Sequence, residues 1–328
     1  MERLVFIDNA KGIGIILMIL GHIPNMPEFF HSWIYSFHMP LFFFISGYLF
    51  NEKKYFCINL KEYIFLKFKR LIIPYFGMAF ICYIIVIFSG LKNEYILKYI
   101  IGILYSRGTV EWLPNCSPLW FLTCLFVVEI IIYLILKRKN KLIYFFFLII
   151  LGGILSNFLL IKLPWNIDTA LVGAVFALIG FFVKKNNIFY KIKNNKYEWF
   201  FFVVFIWCSY ISVLFNKNGV DFDGNKYGDY FYFYFYLGAF SGILIIFFIC
   251  MKINSIKICS FFGKNTMPII GFNYMFMSVS LRISKYLFVE VNWIYNFIIT
   301  IFFTAMCIYI LVKIKNKNKL VSKIFFGE

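Results

Sequence analysis

Acidic residues are scarce in this chain, with 15 Asp and Glu against 33 Lys and Arg in 328 residues, and charged residues of both signs make up only 15%. Proline and histidine are scarcer, at eight and three. The eight cysteines are scattered and include no C-x-x-C pair, which argues against a disulfide framework and against a cysteine-based metal site; apolar packing is their expected role. Strict apolar/polar alternation is missing, which excludes a β-barrel. No A-x-A-like site follows the first apolar stretch, so it does not read as a cleaved signal peptide. The longest stretches between apolar runs are 90–118, 216–230 and 51–70, so a separate soluble domain is not expected.

What is abundant is hydrocarbon. Hydrophobic residues make up 62% of the chain and mean hydropathy is +0.82, well beyond the ~45–50% apolar content of a soluble domain. About 20 apolar residues suffice for one bilayer crossing. Such runs fall near 10–27, 32–50, 71–89, 119–136, 142–161, 166–183, 198–215, 231–251, 266–281 and 293–312. The expectation is an all-α polytopic membrane protein: one domain over 1–328, a bundle of about ten transmembrane helices. With an inner N-terminus, 25 of the 33 basic residues fall in cytoplasmic segments and 8 in outer ones, which places both termini in the cytoplasm. The net charge of +18 is thereby a topology signal rather than a nucleic-acid patch, and the expected location is the cell membrane.

Ionisable groups inside such spans stand out, because polar groups at that depth are costly and face a cavity or one another. In "IDNAKGIGIILMILGH", His22 lies eleven residues beyond Lys11, or ~16 Å along a helix axis. At ~100° per residue, Asp8, Lys11 and His22 share one face, with Asn25 a further turn along it. His38 in "HSWIYSFHMPLFFFISGYLF" lies ~10 Å below the outer surface, at a depth close to His22. Pro40 frees the Ser36 carbonyl beside it. Glu129, ten residues into its span, is a third buried ionisable group, whereas His31 at the outer interface reads as solvated. The competing role is a structural hydrogen bond between helices, worth about 1 kcal/mol. Two histidines and a glutamate at similar depth favour a polar site.

Two further stretches bear on that site. "LKFKRLIIPY" sets Lys67 and Arg70 at i,i+3 on one helix face. They serve as positive-inside anchors or, given arginine's planar fork, as phosphate ligands. The loop "NKNGVDFDGNKYGDY" gathers Asp221, Asp223, Asn225 and Asp229 but breaks the calcium-loop pattern at Gly224. It reads as a solvated, turn-rich loop that can line an entrance for a polyhydroxylated ligand; no metal is expected.

Asp8-x-x-Lys11-Gly12, Lys11-x10-His22, "SFHMPLFFFISGYLF" and "KFKRLIIPY", supported by "SPLWFLTCLF", "LPWNIDTALVGAVFALIGFFVKK" and "FGKNTMPIIGFNY", run through nearly the whole chain in one order. In these the sequence resembles acyltransferase family 3, in the polysaccharide O-acetyltransferase branch related to fucose 4-O-acetylases. The chain departs at Asn273-Tyr274, where the family pattern has a histidine. The resemblance implies a ten-helix bundle with acyl-CoA arriving from the cytoplasm and the acceptor from the far side. It maps the catalytic histidine onto His22 and donor-binding groups onto Lys11, Lys67 and Arg70, with Asp8 at the same mouth.

The expected reaction is transfer of an acyl group, most simply acetyl, from acetyl-CoA to a hydroxyl of a cell-surface glycan or a lipid-linked sugar precursor. His22 is the expected general base. A covalent acyl-histidine is the variant route, and His38 or Glu129 is left to hold the second imidazole nitrogen or polarise the acceptor. Asn25, Ser46 and Asp168 are the acceptor-side candidates. A transporter or flippase for a glycan intermediate needs a midplane polar site equally, and a membrane sensor or scaffold is the third class. Response to acetyl-CoA separates them.

Overall fold

Helix follows helix through the computed structural model, which describes residues 4–90, 95–108, 113, 115–158, 162–193, 195–216, 219–228, 232–253, 256–287 and 292–328. The helices are α1 (Val5–Gly21), α2 (Glu28–Tyr48), α3 (Glu52–Tyr55), α4 (Leu60–Lys67), α5 (Ile73–Phe88), α6 (Ile96–Tyr105), α7 (Trp120–Leu136), α8 (Lys141–Phe158), α9 (Ile167–Lys185), α10 (Ile188–Lys193), α11 (Glu198–Phe215), α12 (Phe233–Lys252), α13 (Lys257–Lys264), α14 (Thr266–Leu287), α15 (Trp293–Lys315) and α16 (Lys319–Val321). Among the described residues there is no strand, only an isolated bridge between Asp221 and Lys226.

Seven helical stretches among the described residues are long and apolar enough to cross a membrane: Leu60–Phe88, Ser117–Leu136, Lys141–Phe158, Pro164–Lys185, Glu198–Phe215, Phe233–Lys252 and Trp293–Lys315. The three other expected spans correspond to α1, α2 and α14. Helix α1 is only 17 residues long. Helices α2 and α14 have the length but carry His31, Ser32, Ser36 and His38, and Asn273, Ser278, Ser280 and Ser284, which lower their hydropathy.

The apolar surface shows what surrounds the bundle. Phe146, Phe147 and Ile150 of α8, Trp207 of α11 and Phe302 of α15 are all exposed. A water-soluble surface does not carry apolar faces of that extent, and a helix in lipid needs no other cover. Helix α2 lies inside, packed on α1, α9 and α12. It meets α9 so closely that a Cβ at Gly47 would overlap the Ala177 carbonyl, and one at Gly180 the Phe44 carbonyl. Small residues at such crossings let backbones approach where no hydrophobic force drives helices together.

Two local breaks position polar groups. Helix α1 stops at Gly21, with His22 as its C-cap. Pro24 disfavours helix at Ile23, so His22 closes the helix rather than sitting within it, and the helical face does not continue to Asn25. Between α4 and α5 the chain widens into a π turn, Phe68–Ile72, where Ile73 N–H reaches the Phe68 carbonyl. Pro74 cannot donate to the Arg70 carbonyl and its ring crowds it, which accounts for the wider turn.

The α2–α9 crossing makes a direct test. Gly47→Ala should lower the unfolding midpoint in detergent, with the ~1–3 kcal/mol typical of overpacking. Gly153→Ala, whose added carbon meets only the edge of the Tyr232 ring at 3.4 Å, should leave it nearly unchanged.

A chain of cavities along helix α1

Cavities with polar and charged walls lie along α1, towards both of its ends. At the C-terminal end is a cavity of about 160 Å³, lined by His22, Tyr35, His38, Asp221, Asp223 and Tyr274 among others. His22 Nδ1 lies 2.7 Å from the Met18 carbonyl and His38 Nδ1 lies 2.9 Å from the Ile34 carbonyl. A carbonyl only accepts, so each Nδ1 carries the proton and each Nε2 keeps its lone pair. The second nitrogen of His22 is therefore held by its own helix, and neither His38 nor Glu129 is its partner. His38 likewise bonds Ile34 rather than the carbonyl of Ser36. The rings meet through tyrosines: Tyr35 lies 6.0 Å from His22 and 5.0 Å from His38, and stacks on His31 at 4.1 Å. Tyr274 packs edge-on to His22 at 5.3 Å, so α14 also contributes to this cavity.

A second cavity, of about 150 Å³, is lined by Lys11, Ser46, Lys67, Arg70 and Glu129. The Glu129 carboxylate is fully engaged: Lys67 Nζ lies at 3.0 Å, Ser46 Oγ donates at 2.6 Å and Tyr63 OH at 2.7 Å. Lys67 is buried and also sits over the Tyr55 and Tyr63 rings at 4.8 and 5.3 Å. This cavity and the first share a wall of Phe42, Phe121 and Ile270. On its other side it shares Lys11, Tyr55, Arg70, Thr266 and Met267 with a mouth of about 520 Å³, to which Asp8, Lys54, Lys69, Lys264 and Glu328 also contribute. The three cavities thus follow one another along α1, from Asp8 and Lys11 near its start to His22 at its end.

Several sequence candidates fall elsewhere than expected. Glu129 does not join the histidines; it fixes Lys67 in the second cavity, and Ser46 is bound to it there instead of on the acceptor side. Asn25 is exposed in the turn after α1, with a left-handed backbone at φ 62°, and lines none of the three cavities. Asp168, 1% exposed, is committed to Arg107, whose Nη2 reaches its two oxygens at 2.5 and 2.6 Å. Arg107 Nη1 donates to Asn166 Oδ1 at 2.6 Å and to the Asp223 carbonyl at 2.9 Å.

The loop read as solvated is instead built into the bundle. Val220, Phe222, Asn225 and Tyr227 are buried, and Asp221 and Asp223 face the histidine cavity; Asp229 lies outside the described residues. Arg107, Tyr35 and Tyr274 escaped sequence reasoning, because a loop arginine looks like a solvated charge and tyrosines are common in this chain. No group of three or more His, Cys, Asp or Glu among the described residues is placed to hold a metal ion.

Burial pushes the Asp223 carboxyl up to about 6, against the lowering pull of the Gly108 N–H and the Arg107 charge. A folded-state value above the unfolded one means that this group's contribution to stability is complete below its unfolded value of ~4 and is lost as pH rises through about 6. Asp223→Asn, which keeps the neutral shape, should therefore gain in unfolding midpoint relative to wild type between pH 4 and pH 7. Parallel pH curves for the two proteins would contradict the shift.

The acyltransferase domain family matches residues 4–313, which takes in every helix from α1 to α14 and nearly all of α15. No curated protein matches the chain. Its apolar helices make it a membrane protein, and the family match over nearly the whole length makes it an acyltransferase: the chain belongs to the acyltransferase 3 domain family.

Proposed function

We propose that the protein transfers an acyl group, acetyl by preference, from acyl-CoA to a hydroxyl of a cell-surface polysaccharide or its sugar precursor. The observation that carries this reading is the chain of three cavities, basic at one end of α1 and imidazole-lined at the other. In it, α1, α2 and α14 cross the cell membrane with the seven more apolar spans, making ten, and the basic bias keeps both termini in the cytoplasm.

The donor enters at the basic mouth. Lys11 and Arg70 meet the CoA phosphates, for which guanidinium and ammonium groups are suited. Lys67 is paired with Glu129 in the second cavity beyond that mouth, so its charge is largely neutralised and Arg70 makes the phosphate contact. The pantetheine arm follows the second cavity, and the thioester reaches past Phe42, Phe121 and Ile270. His22 Nε2 takes the hydroxyl proton as the oxygen attacks the thioester carbonyl, and the CoA thiolate leaves. The Met18 carbonyl holds the ring in the tautomer this step needs. A cavity of about 160 Å³ compares with the ~150 Å³ that accommodates benzene, so a long acyl chain has no room beside a hydroxyl. Acetyl-CoA is the fitting donor.

His22→Ala should leave a folded protein that binds acetyl-CoA but transfers label ~10²–10⁴-fold more slowly, and His38→Ala should be milder. Arg70→Gln should weaken acetyl-CoA binding with little effect on folding; it is a cleaner probe than Lys67→Gln, which strands Glu129. The assay is transfer of labelled acetyl from acetyl-CoA to membrane glycans. Full activity in His22→Ala would assign the base elsewhere, and indifference of the wild type to acetyl-CoA would favour a carrier.

A further inference from the structure

One wall of the histidine cavity has no part in the transfer chemistry just described. It is the hairpin Asp221–Lys226, and its shape is fixed from both sides. Asp221 and Lys226 exchange two backbone hydrogen bonds of 2.9 Å, and Asp221 Oδ1 accepts from Gly224 N–H at 2.9 Å. Phe222, 4% exposed, plugs the hairpin between the rings of Phe43, Trp120, Tyr227 and Phe235. From across the cavity rim, Arg107 holds the Asp223 carbonyl and Gly108 N–H donates to Asp223 Oδ1 at 3.1 Å. Arg107 is itself pinned by Asp168. The two carboxylates are thereby delivered into the cavity of His22 and His38 on a rigid support.

The chemistry of that cavity selects its occupant. A carboxylate offers about four acceptor positions, and the backbone N–H bond to each aspartate takes one. His38 is 3% exposed, lines the same cavity, and among the described residues its ring is bonded only through Nδ1. With the hydroxyls of Tyr35, Ser117 and Tyr274, the walls both give and take hydrogen bonds. Sugar hydroxyls do both as well. An ammonium only gives, leaving the hydroxyl donors of Tyr35, Ser117 and Tyr274 unmatched, and a carboxylate-bearing sugar meets two like charges at short range, which is unfavourable in a partly buried site.

We propose that Asp221 and Asp223 form an acceptor subsite for a neutral polyhydroxylated sugar. They hold hydroxyls beside the one that is acylated and exclude acidic sugars. The proposal rests on the acyl-transfer reading for what happens next, but binding in the subsite is measurable without turnover.

The probes are the methyl glycosides of glucose, galactose and fucose, with those of glucuronic acid and glucosamine for comparison. Binding to the detergent-solubilised full chain is read by saturation-transfer NMR, alongside acetyl-CoA binding to the same samples. The wild type should bind at least one neutral glycoside and bind the uronic acid at least tenfold more weakly. Asp221→Asn and Asp223→Asn should each weaken the neutral glycoside by about tenfold or more, the loss of a hydrogen bond to a charged group, and the double variant should narrow the gap to the uronic acid. Unfolding midpoints establish that the variants are folded, and Asp223→Glu separates loss of charge from loss of shape by retaining neutral-sugar preference. Unchanged affinity in both Asn variants overturns the subsite, as does absence of neutral-sugar binding, or a preference for the uronic acid or the amino sugar. Sugar binding without any acetyl-CoA binding would instead sink the acyl-transfer reading and leave the subsite standing.

Discussion

A side chain that carries charge or a hydrogen bond has nowhere to go on the outside of a bundle sheathed in hydrocarbon, so it turns inward and meets others. That constraint sorts the helices. Helices α8, α11 and α15 stay on the rim and turn phenyl, indole and alkyl groups outward, while the few polar side chains of α11 and α15, such as Ser209, Ser212, Asn296 and Thr300, are buried on the inner side. By contrast, α1, α2 and α14 are drawn together, and where their side chains do not fill the space between them the three cavities remain.

Two buried ion pairs organise the ends of this arrangement. At one, Lys67 and Glu129 join the start of the long α4–α5 helix to α7, with Ser46 and Tyr63 completing the carboxylate's shell. At the other, Arg107 and Asp168 join the segment after α6 to α9 and, through the Asp223 carbonyl, to the hairpin before α12. Buried pairs add little net stability, because desolvation offsets attraction; what they do is penalise every arrangement that leaves a partner behind. Each pair thus sets the relative placement of segments distant in sequence, which is what a site assembled from five or six helices requires.

The all-helical class and the shared cavity of His22 and His38 were legible because both follow from local rules: hydropathy over ~20 residues and depth counted along a helix axis. Helix interruptions and long-range partners leave no such mark in hydropathy or axial depth. Asn25 was placed on the α1 face although Pro24 ends that helix first, and Asp168 and Ser46 were assigned to the acceptor although each is spoken for by a partner 61 or 83 residues away in sequence. Glu129 was grouped with the histidines by depth alone, whereas the wall of Phe42, Phe121 and Ile270 puts it in the neighbouring cavity. Arg107 could not be read at all, and the Asp221–Lys226 hairpin only as a turn-rich loop able to line an entrance, not as a part of the bundle. Their roles depend on a long-range ion pair and on an aromatic plug, and neither leaves a periodic trace in the sequence.

That wall has an electrical side. In the proposed acyl transfer the two substrates approach along one path, which must admit a thioester without becoming a leak. A charge moving freely through such a path would dissipate ~2.3 kcal/mol for every 100 mV of membrane potential. Phe42 and Phe121, with ring centroids 5.8 Å apart, and Ile270 offer water no hydrogen bond, and an apolar constriction of this kind stays dry. In the proposed reaction, the three side chains that part the carboxylate from the imidazoles thereby also insulate one face of the membrane from the other.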